Sequence, residues 1–437
     1  MPDACDLPRE QGLTWPRARQ ALLRCACCAA LLFAAHSGLQ PRSHIDLYPS
    51  YVAARLANEG LWEHIYHPTV WLFRESDDPV WNQRGRALLA PQPLLETSFV
   101  YHPWYLQGLR PIAALVPYAS FQASWIVLNR LCIVAIGLAL ALLLRAERWR
   151  DQLLLTLVLA FASTSIDSVD VGQNELPALS FALFAALAWR SRAPLWLGGL
   201  LAACAWACKP WCAALIVLPF VLRGLRAGVM TAAGLGFAMV ILPELCMPAA
   251  LMRDYRAALA GMAGMSNIAF NNVSLLASLE RLTTPDWLQR LDDWAPHVAP
   301  LWSRVLAHSL TLILFASGAW VWWRRRPAVR YTIAAYLAFM LVPLGICWTH
   351  YFVFAFPLAC LCTFDERSRW LLRAAGFALL ALLFGLMEFL QIGGHPLWTA
   401  LLQPAVHPWQ HATPMLLLVA TCFAALSLAP RDAHDSH

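Results

Sequence analysis

Long apolar segments separated by short turns are the feature that most restricts how this chain folds. Of all residues, 59% are hydrophobic and only 13% are charged, too few to cover a water-exposed surface. A spanning helix needs roughly 17 to 25 residues, so we predict an all-α polytopic membrane protein with about 10–12 transmembrane helices. The shorter segments predict helices that stop part-way or line a cavity. The segments lie at 20–39, 123–144, 151–166, 175–189, 194–208, 211–222, 228–247, 303–323, 328–346, 350–364, 370–391 and 412–429.

Arginine placement predicts the orientation of these helices. If the N-terminus lies in the cytoplasm, every short cytoplasmic turn carries arginine, as at 145–150, 324–330 and 367–373. Basic residues on the opposite side lie mostly in two long loops, which cross the membrane largely regardless of their charge. The net charge of +6 therefore reflects topology and does not indicate nucleic-acid binding. We expect the plasma (inner) membrane, with both termini in the cytoplasm.

This topology predicts one membrane domain with two short tails. We expect a cytoplasmic N-terminus over 1–19, a single transmembrane domain over 20–430 and a cytoplasmic tail over 431–437. The domain carries two extracytoplasmic loops, 40–122 and 248–302. In the first loop, "YPSYVAARLANEG" and "YHPWYLQGLRPIAALVP" predict interfacial helices, because each is too short to span and the second is interrupted by proline.

Cysteine and motif content argue against several classes of protein. The 13 cysteines lie mostly in apolar runs, and the sequence has no Walker-type loop, GxSxG or HExxH motif. An ATP-driven pump, a serine hydrolase of that type and a metalloprotease are therefore unsupported. Cys204, Cys208 and Cys212 recur at helical spacing, which fits a metal site or, as we favour, small buried apolar residues.

Unusual polar residues gather on the side that this orientation makes extracytoplasmic. The cytoplasmic turns carry almost only arginine with a few acids, whereas the outer turns carry Asp, Asn, Gln, His and Lys. Ionisable groups near span ends are rare and commonly functional, so this asymmetry predicts a site that faces the outside. The groups are Asp46, Tyr101-His102-Pro103 with Arg110, "DSVDVGQNE" at 167–175, Lys209, "FNNVSLLASLERL" at 270–282 and "CWTHYFVFAFP" at 347–357.

The charged residues each admit a functional and a plain structural interpretation. Lys209, the single lysine of the chain, either binds an anion such as a lipid phosphate or snorkels to the interface. Arg110 either serves a phosphate or faces lipid head groups. Asp167 and Asp170 form a carboxylate pair or a polar turn, and the turn is favoured for Asp167. His350 is an acid or base, a sugar ligand or an interfacial aromatic residue.

The amide residues are divided between recognition and helix capping. Gln173 and Asn174 form a turn that suits hydroxyl recognition, although Asn174 also stands where a helix cap is expected. Asn271, Asn272 and Ser274 precede an apolar helix, so capping competes with ligand binding there as well.

Taken in order, these stretches resemble one family. The chain is similar to the GT87 (DUF2029) family of GT-C glycosyltransferases, which includes the mycobacterial polyprenyl-phosphate-mannose-dependent α-mannosyltransferases. The resemblance implies a GT-C fold, an active site at the outer membrane face and a polyprenyl-phosphate sugar donor. It extends over about 44–358 and rests on "IDLYPSYVAARLANEGLWEHIYHP", "FVYHPWYLQGLRPIAALVP" followed by "WIVLNR", "DVGQNELPALSFALFAALAWR", "GGLLAACAWACKPWCAALIVLPFVLRG", "NNVSLLASLERL" and "CWTHYFVFAFPL".

The resemblance also implies roles for particular residues. The family's catalytic aspartate falls on Asp46, and its "GQ-N" turn falls on Gly172, Gln173 and Asn174. The lysine of its "KP" motif falls on Lys209, and the histidine of its "W-x-H-Y" motif falls on His350.

An inverting transfer, the usual outcome in this family, needs a base beside the acceptor hydroxyl and stabilisation of the leaving phosphate. We expect Asp46 to be that base and His350 a further catalytic group, with Lys209 and Arg110 holding the donor phosphate. Sugar or acceptor hydroxyls would be bound by Gln173, Asn174, Asn271, Asn272 and Tyr101.

The expected partners are a polyprenyl-phosphate hexose donor, with mannose as the first candidate, a glycolipid or glycan acceptor, and membrane lipids. No nucleic acid and no cofactor are expected, and a divalent cation between Asp46 and Asp170 is left open. The stretch 68–98 is longer than in the family, and His102 stands where proline is common, which suggests a different acceptor.

Two other functions compete. A transporter or flippase of lipid-linked sugar would use similar polar residues, but near the bilayer midplane and on both faces. A different GT-C transferase usually carries a soluble periplasmic domain at its C-terminus, whereas this sequence ends in an apolar segment and a short tail.

Overall fold

The computed structural model describes residues 24–29, 31–32, 46–67, 76–89, 98–145, 149–191, 193–269, 271–284, 296–391 and 408–431. These residues are predominantly helical, with one two-stranded ribbon, which confirms the all-α prediction. Within the first predicted span, the described residues 24–29 and 31–32 are helical. The predicted tail 1–19, and all but the first residue of the tail 431–437, lie outside the described residues.

The described part of the first long loop contains three short α-helices, α1 (Tyr48–Asn58), α2 (Pro79–Leu89) and α3 (Pro103–Leu115). α1 has proline in its first turn, and Gly60 just beyond its end adopts a φ of 79° that favours glycine. The Tyr51 hydroxyl of α1 donates to the Val116 carbonyl after α3 at 2.9 Å. The two helices expected in this loop are confirmed, but α1 is buried along nearly its whole length, unlike the interfacial helix that we expected.

Helix α2 begins at a cap that the sequence pattern did not reveal. Asp78 accepts hydrogen bonds from the backbone N–H groups of Val80 (2.8 Å) and Trp81 (3.2 Å), which lie in the first turn. Its other carboxylate oxygen lies 2.8 Å from Nδ1 of His64. Burial alone would raise the pKa of Asp78, but these hydrogen bonds outweigh it and lower that pKa below its ordinary value.

Breaks between the following helices place polar residues at helix ends. α5 (Trp149–Phe161) and α6 (Ser163–Val171) meet at a bend of 63°, and Gly172, which caps the end of α6, has a φ of 76° that glycine readily adopts. After α8 (Leu195–Cys208), Lys209 is extended and Pro210 begins a 3₁₀ helix that runs to Val217. The helices are α4 (Tyr118–Leu144), α5 (Trp149–Phe161), α6 (Ser163–Val171), α7 (Glu175–Arg190), α8 (Leu195–Cys208) and α9 (Leu218–Arg223).

A π-helical turn, Phe237–Ile241, joins α10 (Leu225–Gly236) to α11 (Leu242–Cys246). Such a turn disturbs the regular helical ladder and leaves carbonyls open to other donors. Nε2 of His102 lies 2.9 Å from the Met239 carbonyl oxygen, and Nε1 of Trp104 donates to the Ala238 carbonyl at 2.7 Å. The start of α3 is thereby fastened to the membrane-length run Leu225–Cys246.

The second long loop contains α12 (Ala249–Met262), β1 (Met265–Ser266), α13 (Leu275–Thr283) and β2 (His297–Val298). The strands pair antiparallel, with Met265 opposite Val298. Ser274 caps α13, because its hydroxyl accepts the Ala277 N–H at 3.1 Å. The capping interpretation is therefore confirmed for Ser274.

The remaining helices are α14 (Leu301–Arg325), α15 (Val329–Phe339), α16 (Phe356–Phe364), α17 (Trp370–Gln391) and α18 (Pro408–Leu428). The apolar segment 328–346 is helical only as far as Phe339, after which the chain turns toward the second loop. A Cβ on Gly345 would lie 2.9 Å from the Met265 carbonyl oxygen, so glycine permits this close approach.

Three helices of the described chain are long and apolar enough to cross a membrane, namely α4, α14 and the run Leu225–Cys246. The bent α5–α6 pair would make a fourth. Shorter apolar helices such as α8 agree with the expectation of helices that stop part-way. The chain is thus a polytopic membrane protein, and the number of 10–12 spans stays a prediction.

Candidate functional site

One cavity of about 470 Å³ lies where the first loop, the α6–α7 turn, the break after α8 and the turn before α16 meet. Six of the residues predicted for the site line it: Asp46, Tyr101, Gln173, Lys209, Asn271 and His350. Apolar lining comes from the second loop and the turn after α15, including Met262, Met265, Leu275, Leu276, Val342 and Ile346. Polar groups far apart in the chain therefore share one recess with a large apolar wall.

Asp46 is anchored to the end of α6. Its backbone N–H donates to the Val171 carbonyl at 3.0 Å, and its carboxylate accepts Nε2–H of Gln173 at 2.6 Å. The Gln173 carbonyl oxygen accepts from Nζ of Lys209 (2.7 Å) and from the Tyr101 hydroxyl (3.2 Å). Two donors on this oxygen fix the orientation of the amide, so its N–H group points at Asp46.

The ammonium of Lys209 is buried in a compensating environment. Nζ lies 2.5 Å from Oε1 of Glu175, whose side chain is fully buried. The rings of Tyr101 and Tyr351 lie 5.3 Å and 4.9 Å from the same nitrogen. This geometry differs from a snorkelling lysine, whose ammonium would reach water at the interface.

Tyr101 acts as a hydrogen-bond donor at this site. Burial, together with the neighbouring Tyr105 and the charge of Asp46, raises the pKa of Tyr101 well above its ordinary value. Its hydroxyl therefore stays protonated and donates to Gln173. The Tyr101 carbonyl accepts the Tyr66 hydroxyl at 2.6 Å, which fixes the backbone of the loop.

His350 lies between two carboxylates. Its Nδ1 lies 3.3 Å from Oδ2 of Asp167, and its Nε2 lies 3.8 Å from Oε1 of Glu175. The Thr349 hydroxyl donates to the same Asp167 oxygen at 2.8 Å. Asp167 lines the cavity from within α6, so the interpretation of this residue as a plain polar turn is wrong.

The four amide residues separate into different roles. Gln173 and Asn271 line the cavity, whereas Asn174 is buried behind it and accepts the Tyr105 hydroxyl at 3.2 Å. The Asn174 side chain makes no cap hydrogen bond at the start of α7. Asn272 is also buried, and its side-chain oxygen accepts the Cys347 N–H at 2.9 Å. The structure therefore brings Gln173 and Asn271 to the recess and leaves Asn174 and Asn272 outside its lining.

Arg110 is not among the residues that line the cavity. Its guanidinium donates to Asn58 at 3.1 Å and to Gln107 at 2.9 Å, and it lies 4.7 Å from the centre of the Trp62 ring. These contacts hold α3 against α1 and the turn that follows α1.

A buried arginine supports the loop that carries Asn271. The fully buried Arg281 donates from one nitrogen to the carbonyls of Ile268 (3.1 Å), Ala269 (2.5 Å) and Asn272 (2.7 Å). Sequence reasoning missed this residue, because on the helical pattern it reads as a basic residue near the end of a short helix.

Sequence reasoning also missed Glu175 and misjudged Asp167. Both lie in "DSVDVGQNE", in which a turn was expected at Gln173 and Asn174; Asp167 is instead part of α6, and Glu175 is the first residue of α7. Glu175 could have been recognised as an acid at the first position of an apolar helix. A carboxylate that is buried there requires a nearby cation. Lys209 is that cation.

The described residues contain no group of three or more His, Cys, Asp or Glu side chains placed to hold a metal ion. Asp170, considered with Asp46 for a divalent cation, does not line the cavity. Cys208 and Cys212 are buried free thiols, as expected of small apolar residues.

Helices of membrane length and a concave recess lined by acid, amide and ammonium groups define a helical membrane protein with a polar site between its helices. The chain belongs to glycosyltransferase family 87, whose sequence model matches residues 99–343, more than half of the chain. It is therefore a glycosyltransferase, with a sugar donor and an acceptor as substrates.

The match to the family contains most of the recess. Tyr101, Gln173 and Lys209 lie within the matched residues, whereas Asp46 and His350 lie on either side of them. No curated protein and no solved structure gives a significant match to this chain.

Proposed function

We propose that this protein transfers a hexose, with mannose as the first candidate, from a polyprenyl-phosphate donor to an acceptor hydroxyl. The observation that supports this best is the composition of the cavity. Charged and hydrogen-bonding groups from five parts of the chain meet in it beside an apolar wall. A lipid-linked sugar has the same division, since a polar sugar phosphate is joined to an apolar chain.

The acid–base step is assigned to Asp46. Its carboxylate removes the proton of the acceptor hydroxyl while the hydroxyl oxygen attacks the anomeric carbon. Proton transfer by a placed side chain typically contributes roughly 10²–10⁴-fold in rate. The anchoring of Asp46 through its backbone to α6 and through its side chain to Gln173 supports this role, because a base must be held in position.

Stabilisation of the leaving phosphate is assigned to Lys209. As the bond between the anomeric carbon and the phosphate oxygen breaks, the electron pair leaves with the lipid phosphate, whose negative charge grows. A preorganised ammonium in a site with little water stabilises that developing charge. The products are the glycosylated acceptor, the polyprenyl phosphate and a proton on Asp46, and displacement from the opposite face inverts the anomeric centre.

The apolar wall beside α14 is assigned as the surface that contacts the polyprenyl chain of the donor. Ala307 and Thr311 of α14 line the cavity, while Val305, Leu312 and Ile313 of the same helix are exposed. In a bilayer those exposed side chains would face lipid, so a chain leaving the cavity along α14 would enter an apolar environment. With the orientation expected from the arginines, the proposed reaction takes place at the extracytoplasmic face of the plasma membrane.

A transporter of lipid-linked sugar would carry its polar groups near the bilayer midplane and on both faces. The gathering of six predicted residues in one recess with an anchored carboxylate favours chemistry over passage.

The test uses the full chain in nanodiscs, offered a panel of polyprenyl-phosphate hexoses with glycolipid and glycan acceptors. Release of polyprenyl phosphate together with a glycosylated acceptor supports the proposal. A folded protein that releases none from any donor overturns it, and movement of labelled sugar lipid between leaflets without cleavage establishes the transporter instead.

A further inference from the structure

Only one carboxylate oxygen of Asp167, Oδ2, is contacted by neighbouring side chains in the described part of the chain. Both neighbours, the Thr349 hydroxyl at 2.8 Å and Nδ1 of His350 at 3.3 Å, contact Oδ2. Among the described residues, Oδ1 has no hydrogen-bond partner. Since Asp167 lines the cavity and its side chain is 15% exposed, this oxygen is an acceptor open to a ligand.

The orientation of Asp167 is fixed from behind by buried charges. Nε2 of His350 faces Glu175 at 3.8 Å, and Glu175 in turn holds Lys209 at 2.5 Å. A neutral imidazole carries one N–H and one lone pair, so a ring with carboxylate oxygens on both sides is satisfied best as imidazolium. The positive charge of Lys209 disfavours protonation of His350, but the two carboxylates lie nearest to the ring nitrogens and favour it.

We propose that Asp167 forms the subsite for the sugar carried by the lipid phosphate donor, with its free oxygen accepting a sugar hydroxyl. Thr349 and His350 are positioning residues that hold the carboxylate, and Glu175 holds His350. This inference rests on the proposed function and adds the group that distinguishes a sugar-bearing donor from a bare lipid phosphate.

The chemistry fits a sugar better than a phosphate. A carboxylate repels a phosphate but accepts hydrogen bonds from hydroxyls, which a hexose offers on neighbouring carbons. Lys209 provides the complementary cation on the same wall, separated from Asp167 by one imidazole and one carboxylate. In the donor the sugar is bonded directly to the phosphate, so adjacent subsites of opposite charge match its two parts.

The size of the expected effect follows from the hydrogen bond. A hydrogen bond to a charged group contributes about 1.5–3 kcal/mol, which corresponds to about 10- to 150-fold in affinity. A site built to bind a hydroxyl also rejects the analogue that lacks it, because its own polar group then remains unpaired.

The test measures binding, so that it does not depend on turnover. Parental protein and Asp167→Asn, in nanodiscs, are titrated with a polyprenyl-phosphate hexose and with the same polyprenyl phosphate without sugar. We expect the variant to bind the sugar-bearing lipid about 10- to 100-fold more weakly and the sugar-free lipid within about twofold of the parent. Asp170→Asn, an acid of the same helix outside the cavity lining, is the matched control and should bind both lipids like the parent.

A series of deoxy-hexose donors gives the second measurement. The parent should discriminate against the donor that lacks one particular hydroxyl, and Asp167→Asn should lose that discrimination. Thr349→Val, which removes one of the two contacts on Oδ2, should lose part of it.

The outcomes separate the two proposals. Equal binding of both lipids by parent and Asp167→Asn overturns the subsite, as does an equal loss for both lipids. Unchanged donor binding with a raised KM for the acceptor also overturns it, because Asp167 would then serve the acceptor. If the parent binds neither lipid, the proposed function itself fails, and the subsite fails with it. Thermal unfolding of each variant shows that a loss of binding is not a loss of fold.

Discussion

The side-chain amide of Gln173 donates to the Asp46 carboxylate at 2.6 Å and receives the Lys209 ammonium on its carbonyl oxygen at 2.7 Å. A neutral group with a donor at one end and an acceptor at the other thus links the proposed base to the proposed phosphate ligand. Gln173 is suited to this place by the two-sided character of its amide, which no carboxylate, ammonium or hydrocarbon of similar size reproduces.

Gln173→Glu should change the pH dependence of transfer. A second carboxylate against Asp46 disfavours the ionised base, so the rate should fall about tenfold or more near pH 6 and less at pH 8. The measurement is the pH–rate profile from pH 5.5 to 8.5. Asn174→Asp is the control, because it adds the same charge one residue away, next to Tyr105 and outside the cavity lining. A uniform loss at every pH would count against this role of Gln173.

Asp46→Asn should leave a folded, membrane-inserted protein whose transfer rate is lower by about 10²–10⁴-fold, because the side chain keeps its shape but no longer accepts a proton. Initial rates of polyprenyl phosphate release measure the effect. Asp170→Asn, at an acid of α6 that does not line the cavity, should retain the parental rate. Near-parental transfer by Asp46→Asn would remove Asp46 as the base.

Lys209→Met should impair folding as well as donor use. The substitution leaves the fully buried Glu175 without its counter-charge, and breaking such a pair typically costs about 3–5 kcal/mol. The double variant Lys209→Met with Glu175→Gln removes both charges, so it should regain much of the lost thermal stability while donor binding stays weak. Thermal unfolding and lipid titration are measured on the same preparations.

If the double variant bound donor like the parent, Lys209 would serve only to neutralise Glu175. If it were no more stable than Lys209→Met alone, the ion pair would not be the source of the instability. These two results test the structural and the functional role of the same ammonium separately.

The sequence predicts the helices and the gathering of polar groups better than the side on which each group points. Asp46, Gln173, Lys209 and His350 could be predicted because each stands where an apolar segment begins or ends, and such ends meet at one level of a helical membrane domain. Helix formation in the first loop followed from apolar spacing, proline and length, and α1 and α3 confirm it.

The direction in which each side chain points could not be predicted from the sequence. Asn271 and Asn272 are neighbours, yet Asn271, in a turn, lines the cavity, whereas Asn272, in an isolated bridge to Trp348, accepts the Cys347 N–H. Arg110 likewise sits on a helix of the correct loop but is turned toward Asn58 and Trp62. Burial of α1 depends on its packing against α3, which periodicity within α1 does not reveal.

His102 shows a further limit, since its partner is a distortion in another helix. The π turn at Phe237–Ile241 has no sequence signature that was recognised, and only the fold brings His102 to the Met239 carbonyl. Nδ1 of the ring accepts the Trp104 N–H at 3.2 Å, so Nε2 carries the proton and donates to Met239. Burial lowers the pKa of His102 to about 4, which keeps the ring neutral near pH 7.

This lowered pKa predicts an acid-sensitive contribution to stability. As the pH falls from about 6.5 toward 4, the unfolded chain binds a proton that the folded His102 does not, so the folded state loses up to about 1.4 kcal/mol per pH unit. Above pH 6.5 both states are neutral at this site and the contribution no longer varies. His102→Gln keeps a donor for the Met239 carbonyl but does not titrate, so its thermal stability should fall less steeply over this range.

The measurement is the unfolding temperature in detergent at half-unit steps from pH 4 to 8. The difference between parent and His102→Gln isolates this residue from other acid-sensitive groups such as Asp78, which both proteins share. Parallel curves for parent and His102→Gln would mean that the ring is protonated in the folded state, and its bond to the π turn would then have to tolerate a charge.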